Sequence, residues 1–432
     1  MKALQIIRRL SASGFSIGGQ GLFMLGNMLV FYVLVRNFSP AEFGVWALFL
    51  ALVSIVDGVR QGLIQNPLTR LLMLHPEREA EIFTSASLMQ LGFLLLASLL
   101  FLLSGHWMAS LMDMPALAEL FPMAFLPLFG LGAIQSFASL AIAKGKLGLY
   151  FLLNGVYCLT LILALLLLHH FSLLSLDYIL LLYGFTGLVT VLAAAVFGLI
   201  KFGKPKLHWM NQILDQGKYN SATNLCSLLF QKADIFMIGY FLNPAAVGVF
   251  QLATKIIQYV ELPLSAFGQT IYPRLAATQR EGNATHLNFE YARGLVLLFV
   301  LIIPGVLAVL AFGQNLIEIL GNGSYGEAVL ILLILVPASV FKPLGRVFGL
   351  TLESIGLSQI NFQMLLFSLV VNVLLNGILI QAYGLPGAAI ATSLSTISTI
   401  LIGQVRLKKY VNVASGLNLW ITIKKEVLPS FK

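Results

Sequence analysis

Twelve long apolar stretches constrain the fold of this chain more than any other feature of its sequence. A helix of about 20 apolar residues crosses the ~30 Å hydrocarbon core of a bilayer. A composition of 59% hydrophobic and 10% charged residues agrees with a chain that lies largely in lipid. We therefore predict an all-α integral membrane protein with twelve transmembrane helices, at residues 12–35, 43–66, 83–104, 118–141, 147–168, 177–200, 218–241, 246–271, 291–312, 327–350, 359–381 and 386–406.

The distribution of Lys and Arg predicts the orientation, because these residues are kept on the cytoplasmic side of membrane proteins. Of the 26 cations, five lie inside the predicted spans and only Arg36 lies on the side opposite the N-terminus. We expect both termini to be cytoplasmic and residues 411–432 to form a basic cytoplasmic tail. The net charge of +9 is therefore a topology signal, and it predicts no nucleic-acid partner.

An internal repeat divides the chain into halves. Residues 40–71 align with 244–275 without a gap, and Asp57 falls on Glu261. Six spans separate the copies, so both halves enter the membrane in the same sense, as in a parallel repeat about an axis along the membrane normal. We predict two six-helix lobes at 1–200 and 218–410, joined by a cytoplasmic linker at 201–217.

Eight charged residues lie inside the predicted spans. Each would cost on the order of 3 kcal/mol at the bilayer centre if it faced lipid. They are therefore expected to line a water-filled cavity or to pair with one another, and their excess of cations favours an anionic cargo. The five cations proposed to line the cavity and bind the substrate are Arg60, Lys232, Lys255, Lys342 and Arg346, and the three acids are Asp57, Asp234 and Glu261.

Further polar residues follow helical spacing on the same spans, which indicates wet stripes in both halves. Two interpretations of the charges stay open. In the first, the cations bind an anion; in the second, Asp57–Arg60, Lys232–Asp234 and Lys255–Glu261 are salt bridges between helices, and Arg346 reaches the inner surface. The polar residues expected to line the cavity are Gln20, Asn27, Gln61, Asn224, Gln231 and Gln258.

The three acids have a second candidate role. A poorly hydrated carboxylate is easier to protonate, so Asp57, Asp234 and Glu261 are candidates for proton coupling as well as for structural counter-ions. The sequence shows no Ser-His-Asp grouping, P-loop or HExxH motif. We therefore predict a protein that is not an enzyme, and no cofactor or metal.

A family resemblance is carried by Ile238–Phe250, by Leu262-Pro263-Leu264 and by Tyr272-Pro273-Arg274-Leu275. Phe38–Gly44 repeats the first pattern, and Gly384–Thr392 resembles the entry to the family's last span. These segments resemble Wzx-type O-antigen flippases of the multidrug/oligosaccharidyl-lipid/polysaccharide exporter superfamily.

The resemblance implies that the protein flips an undecaprenyl-diphosphate-linked oligosaccharide across the bacterial inner membrane. It also implies membrane lipids, protons, a polysaccharide polymerase and chain-length proteins as partners. Two rivals belong to the same superfamily: a multidrug exporter, for which an acidic or aromatic cavity is expected, and a peptidoglycan-precursor flippase, for which two further spans are expected. A non-transporting membrane scaffold would leave the buried charges unexplained.

Overall fold

The computed structural model describes residues 2–280 and 284–409, and these residues form a helical protein. The predicted basic tail lies outside the described residues. Each of the twelve predicted spans lies on a long helix. The α-helices are α1 (Lys2–Asn37), α2 (Pro40–Arg60), α3 (Asn66–Leu74), α4 (Glu79–Leu111), α5 (Pro115–Leu120), α6 (Phe125–Ala143), α7 (Leu147–His170), α8 (Leu176–Val196), α9 (Leu207–Phe241), α10 (Pro244–Arg280), α11 (Ala284–Gly321), α12 (Ala328–Ser354), α13 (Ser358–Tyr383) and α14 (Leu385–Leu407).

Length and apolarity alone identify 10 membrane-spanning helices among the described residues. The two long helices outside that set are α9 and α10, which carry the densest polar residues of the chain. Each contains two of the predicted cavity cations and acids, so their polarity agrees with a position away from lipid. In contrast, α4 exposes Leu95, Leu99 and Leu103 on one face, as a lipid-facing helix does.

The repeat is visible in how α2 and α10 begin. Both helices start at the matched prolines, Pro40 and Pro244, where a missing N–H costs nothing. The preceding residues, also matched, cap both helices: Ser39 forms a capping box with Glu42, and Asn243 Oδ1 accepts a hydrogen bond from the Ala246 N–H at 2.9 Å. The same local chemistry therefore starts the second helix of each half.

The chain divides into two compact units between Leu229 and Phe230. In the first unit α1 packs on α7, and α6 packs on α8; in the second, α10 packs on α12, and α13 packs on α14. The division falls inside α9, beyond the predicted linker at 201–217. The reason is that the first half of α9 packs on the C-terminal end of α2 and the turn that follows it.

Hydrogen bonds hold the segment before α9 against the start of α4. The Gly203 N–H donates to Thr84 Oγ1 at 2.9 Å, and the Lys206 N–H donates to Ser85 Oγ at 3.0 Å. Trp209, one turn into α9, donates from Nε1 to a carboxylate oxygen of Glu81 at 3.2 Å. This segment is therefore fixed in place, and it sets the position at which α9 begins.

Candidate functional site

Asp57 and Arg60 form a buried ion pair at the C-terminal end of α2. Arg60 Nε lies 2.7 Å from Asp57 Oδ1, and the two side chains are 0% and 4% exposed. The pair forms because residues three apart share one face of a helix. Since a buried charge without a partner is costly, the rest of this environment has to satisfy the remaining donors and acceptors.

Neighbouring polar side chains complete the pair. Gln61 Nε2 donates to the second oxygen of Asp57 at 2.8 Å, and Arg60 donates to Gln65 Oε1 at 3.0 Å and to Ser136 Oγ at 3.2 Å. Gln65 in turn donates to Ser139 Oγ at 2.7 Å. This network ties α2 to α6, and it leaves Arg60 closed to solvent.

Glu261, the acid of the second unit that aligns with Asp57, is bonded to different partners. Glu261 on α10 accepts one hydrogen bond from Lys342 Nζ at 2.6 Å and another from Ser339 Oγ at 2.7 Å, both from α12. The Lys342 side chain is 38% exposed, whereas that of Glu261 is 13% exposed. The ion pair therefore joins two helices and leaves its cation open to water.

A cavity of about 350 Å³ lies in the second unit. Its wall includes Gln231 and Lys232 from α9, Gln258 from α10, and Ser339 and Lys342 from α12. Phe230, Phe250 and Phe348 add aromatic surface. The wall thus offers positive charge, amides and hydroxyls beside apolar faces, a combination that suits an anionic and hydroxyl-rich ligand.

Lys232 and Lys255 differ from the other cations. Within the described part of the chain, neither has an ion-pair or hydrogen-bond partner. Both side chains are half-buried. Half-buried ammonium groups without a counter-ion can be stabilised by a bound anion.

Asp234 follows on α9, also at the cavity wall. Its Oδ1 accepts hydrogen bonds from Asn372 Nδ2 at 2.9 Å and Asn376 Nδ2 at 2.7 Å, both on α13. The carboxylate is held by neutral amides rather than by a cation. Asn372 and Asn376 were missed by the sequence reasoning, although two asparagines four residues apart in an apolar span are a readable signal.

The remaining predicted residues are spread over both units. In the first, Gln20 is exposed, Asn27 donates to the Phe23 carbonyl of its own helix at 2.8 Å, and Asn224 donates to the Gly58 carbonyl at 3.0 Å. In the second, Arg346 is exposed and outside the residues that line the cavity. The structure thus places five predicted residues around one cavity of the second unit: Gln231, Lys232, Asp234, Gln258 and Lys342. Glu261 is bonded to Lys342, and Lys255 is outside the lining residues. In the first unit the structure brings Asp57, Arg60 and Gln61 together.

Residues 33–330 match the family model described as Polysaccharide biosynthesis protein. The chain belongs to this family of polysaccharide biosynthesis proteins. The match confirms the family resemblance inferred from the sequence. Three relatives carry flippase names. Probable flippase AglR of Haloferax volcanii is 25% identical over 391 residues, which are 87% of this chain and 79% of AglR.

The two other relatives match shorter segments. Probable low-salt glycan biosynthesis flippase Agl15 of Haloferax volcanii is 24% identical over 220 residues, 50% of this chain, and the match spans 46% of Agl15. Lipid II flippase MurJ of Bacillus subtilis is 27% identical over 183 residues, which are 41% of this chain and 33% of MurJ. This chain thus aligns with less than half of either protein.

Solved structures show the fold of this polysaccharide biosynthesis protein. An inward-facing multidrug resistance MATE family transporter of the MOP superfamily is similar with a TM-score of 0.74 at 15% identity, over 94% of this chain and 96% of that one. Lipid II flippase MurJ in an inward closed conformation is similar with a TM-score of 0.70 at 15% identity, over 91% and 87%. These similarities show that the chain has the fold of multi-pass membrane transporters.

Proposed function

We propose that the protein flips an undecaprenyl-diphosphate-linked oligosaccharide, a repeat unit of O-antigen or a related surface polysaccharide, from the cytoplasmic to the periplasmic leaflet of the bacterial inner membrane. The lipid tail stays in the bilayer while the head group passes through the protein by alternating access. The family membership and the flippase relatives support the class of substrate.

The observation that carries the proposal is Lys232, which lines the cavity and has no partner among the described residues, together with Lys255, a second half-buried lysine of the same unit without such a partner. A diphosphate or acidic sugar supplies the negative charge that these lysines lack, and amides and hydroxyls of the wall suit sugar hydroxyl groups. Arg60 is already neutralised by Asp57, so we assign it to the structure of α2 rather than to direct substrate contact. Lys342 can bind the substrate anion once its ion pair with Glu261 has broken.

The membrane potential supplies a driving force in the proposed direction. An interior-negative potential favours outward movement of an anion by about 2.3 kcal/mol per charge per 100 mV. Of the three acids, we assign proton coupling to Asp234, because Asp57 and Glu261 are each paired with a cation. If Glu261 were the proton site instead, its protonation would free Lys342 for the anion, and the proton would leave with the substrate. Such export runs against the proton gradient, which is a second reason not to assign coupling to Glu261.

Flipping in proteoliposomes tests the function. The protein is reconstituted with a fluorescent undecaprenyl-diphosphate oligosaccharide, and the fraction that reaches the outer leaflet is measured by enzymatic accessibility. Lys232→Ala/Lys255→Ala is expected to lose at least ten-fold in rate, whereas Lys146→Ala, a change of an exposed lysine, is expected to keep it. Equal rates in the double variant and the wild type would contradict the proposal.

Lipid II is the second candidate substrate, favoured by the matches to MurJ. The flipping rate of lipid II in the same liposomes, compared with that of the lipid-linked oligosaccharide, separates the two candidate substrates.

The proposed orientation is tested separately with an impermeant thiol reagent in intact cells, using a variant of the protein without Cys158 and Cys226. Cysteines at Ser172 and Ser324 are expected to react, and cysteines at Lys146 and Lys204 are expected to react only after permeabilisation.

A further inference from the structure

The segment between α8 and α9 includes residues 201–206, whose sequence is Lys-Phe-Gly-Lys-Pro-Lys. Its backbone lies directly on the start of α4, where a Cβ atom placed on Gly203 would lie 2.9 Å from the carbonyl carbon of Ala80. Hydrogen bonds from the Gly203 and Lys206 amides to two hydroxyl groups of α4 hold it there. The fold therefore fixes where the side chains of this segment leave the protein surface.

Cations outnumber acids around this segment. Glu79 binds Lys144 at one carboxylate oxygen and Lys201 at the other. Glu81 is shared by two further cations, whose nitrogens lie 2.7 Å and 3.6 Å from one of its oxygens. Even with Glu77 included, five cations face three acids, and a net positive charge remains. These five cations, which we call the basic rim, are Arg78, Lys144, Lys201, Lys204 and Lys206.

Most cations of the basic rim can accept a further anion. The side chains of Lys201, Lys206 and Arg78 are 58%, 47% and 55% exposed. Lys204 is also exposed, and its ammonium group has no ion-pair or hydrogen-bond partner among the described residues. Since exposed ion pairs are weak, an additional anion can bind these cations without breaking a strong interaction.

Large apolar side chains lie beside the basic rim. Phe202 is 77% exposed, and its ring lies 6.3 Å from that of Phe83 on α4. Leu207, the first residue of α9, is 71% exposed. The apolar span Leu176–Val196 ends shortly before both residues, which places them close to the membrane surface. Exposed Phe and Leu next to Lys are typical of segments that insert into the interface between lipid head groups and acyl chains.

We propose that the basic rim binds the phosphate of an anionic phospholipid, and that Phe202 and Leu207 insert among the acyl chains beside it. Lys201 and Lys204 flank Phe202 in the sequence, so they donate to the phosphate where the aromatic ring enters the lipid. The positive charge of the rim selects an anionic head group over a zwitterionic one. An acidic soluble protein would match the charge as well, but it gives no reason for two exposed apolar side chains at the membrane surface.

Lipid quenching of a fluorophore at the basic rim tests the proposal. Leu207→Cys, in the full chain with Cys158→Ser and Cys226→Ser, is labelled with a small apolar fluorophore and reconstituted in phosphatidylcholine vesicles. The vesicles contain either spin-labelled phosphatidylglycerol or spin-labelled phosphatidylcholine at the same mole fraction. Quenching is expected to be several-fold stronger with phosphatidylglycerol, because the rim concentrates the anionic lipid beside the fluorophore.

Two pairs of substitutions with the same change in charge locate the effect. Lys201→Gln/Lys204→Gln should remove the excess quenching by phosphatidylglycerol. Lys408→Gln/Lys409→Gln, the matched control, removes two exposed lysines directly after α14 and should keep the excess. Lys201→Arg/Lys204→Arg retains the charge and should also keep it. Thermal unfolding should be the same in the Gln and Arg variants of the rim, because Lys144 still binds Glu79 in both.

Equal quenching by the two lipids in the labelled protein without rim substitutions would overturn the proposal, and it is the result expected if the rim serves an acidic soluble protein. An excess that persists in Lys201→Gln/Lys204→Gln would overturn it as well. The vesicles contain no transport substrate, so the result does not depend on the proposed function or on the orientation of the protein.

Discussion

Asp57 and Glu261 occupy matched positions in the two halves, yet their ion pairs differ in the origin and the exposure of the cation. Asp57 bonds to Arg60 on its own helix, and the arginine is 0% exposed. Glu261 bonds to Lys342 of another helix, and the lysine is 38% exposed. The two halves therefore share the acidic residue but differ in the helix that supplies its cation.

Both pairs use a serine from the fourth long helix of their half. Ser136 on α6 accepts from Arg60, and Ser339 on α12 donates to Glu261. In the first unit this joins a closed network, which suits a structural role. In the second it stands beside a cavity whose wall includes Lys232, a lysine without a partner among the described residues. This surrounding suits a cation that can exchange its carboxylate for a substrate anion.

The largest expected difference is in the free energy of unfolding after removal of Arg60 or of Lys342. Arg60→Ala leaves Asp57 buried without its partner and should lower the free energy of unfolding by about 3–5 kcal/mol. Lys342→Ala should cost about 1 kcal/mol, because water from the cavity reaches Glu261. Thermal unfolding in detergent measures both, with the exposed Arg70→Ala as control.

A second substitution sharpens this result. Asp57→Asn in the Arg60→Ala background should recover part of the lost stability, since no unpaired carboxylate remains. Equal losses for Arg60→Ala and Lys342→Ala would show that the first pair is no more closed to water than the second.

Much of the fold was predictable because its signals are local. Apolar length located the twelve long helices, and the repeat aligned Pro40 with Pro244, where α2 and α10 begin. The division inside α9 was not predictable, because it depends on glycines that meet across helices. Gly62 and Gly217 look unremarkable in sequence, and only packing shows that they touch another backbone.

Contacts of the site were predictable where both residues lie on the same helix. The Asp57–Arg60 pair follows from a spacing of three, and the structure forms it. The alternatives Lys232–Asp234 and Lys255–Glu261 do not form among the described residues; Asp234 bonds to two asparagines of α13, and Glu261 bonds to Lys342. Partner choice between helices depends on their rotation and depth, which a single sequence does not encode locally.

The two acids should also differ when their charge is removed. Asp57→Asn should lower the free energy of unfolding by about 2 kcal/mol, because a charged group loses strong hydrogen bonds in a closed network. Glu261→Gln should cost about 1 kcal/mol or less. Salt screens exposed ion pairs, and the screening strengthens between roughly 0.1 and 1 M. Potassium chloride at about 0.5 M should therefore reduce the destabilisation by Glu261→Gln but not that by Asp57→Asn.

Urea or thermal unfolding at low and high salt measures these differences. A salt-sensitive Asp57→Asn effect would show that water and ions reach the first pair. Asn27→Ala serves as a neutral polar control from the same unit, because its amide donates to the Phe23 carbonyl of its own helix.

Removal of an unpartnered cation should stabilise the protein while it harms transport. Lys255→Met removes a half-buried charge that has no partner among the described residues. It should raise the free energy of unfolding by about 1 kcal/mol, as substitutions at strained functional positions often do. Flipping should fall in the same variant. Lys255→Arg, the control, keeps the charge and should unfold with about the same free energy as the wild type. A Lys255→Met protein less stable than the wild type would contradict the assignment of an unpaired charge to Lys255.

The smallest expected difference concerns the two serines. Ser136→Ala removes an acceptor from a closed guanidinium and should cost about 1 kcal/mol. Ser339→Ala should cost about 0.5 kcal/mol, because Ser339 lines the cavity and a water molecule can take the place of its hydroxyl beside Glu261. Thermal unfolding of both variants measures the difference, with Ser398→Ala, a half-buried serine whose hydroxyl bonds to its own helix, as control. A larger loss for Ser339→Ala would mean that water does not reach Glu261, and the second ion pair would then be as closed as the first.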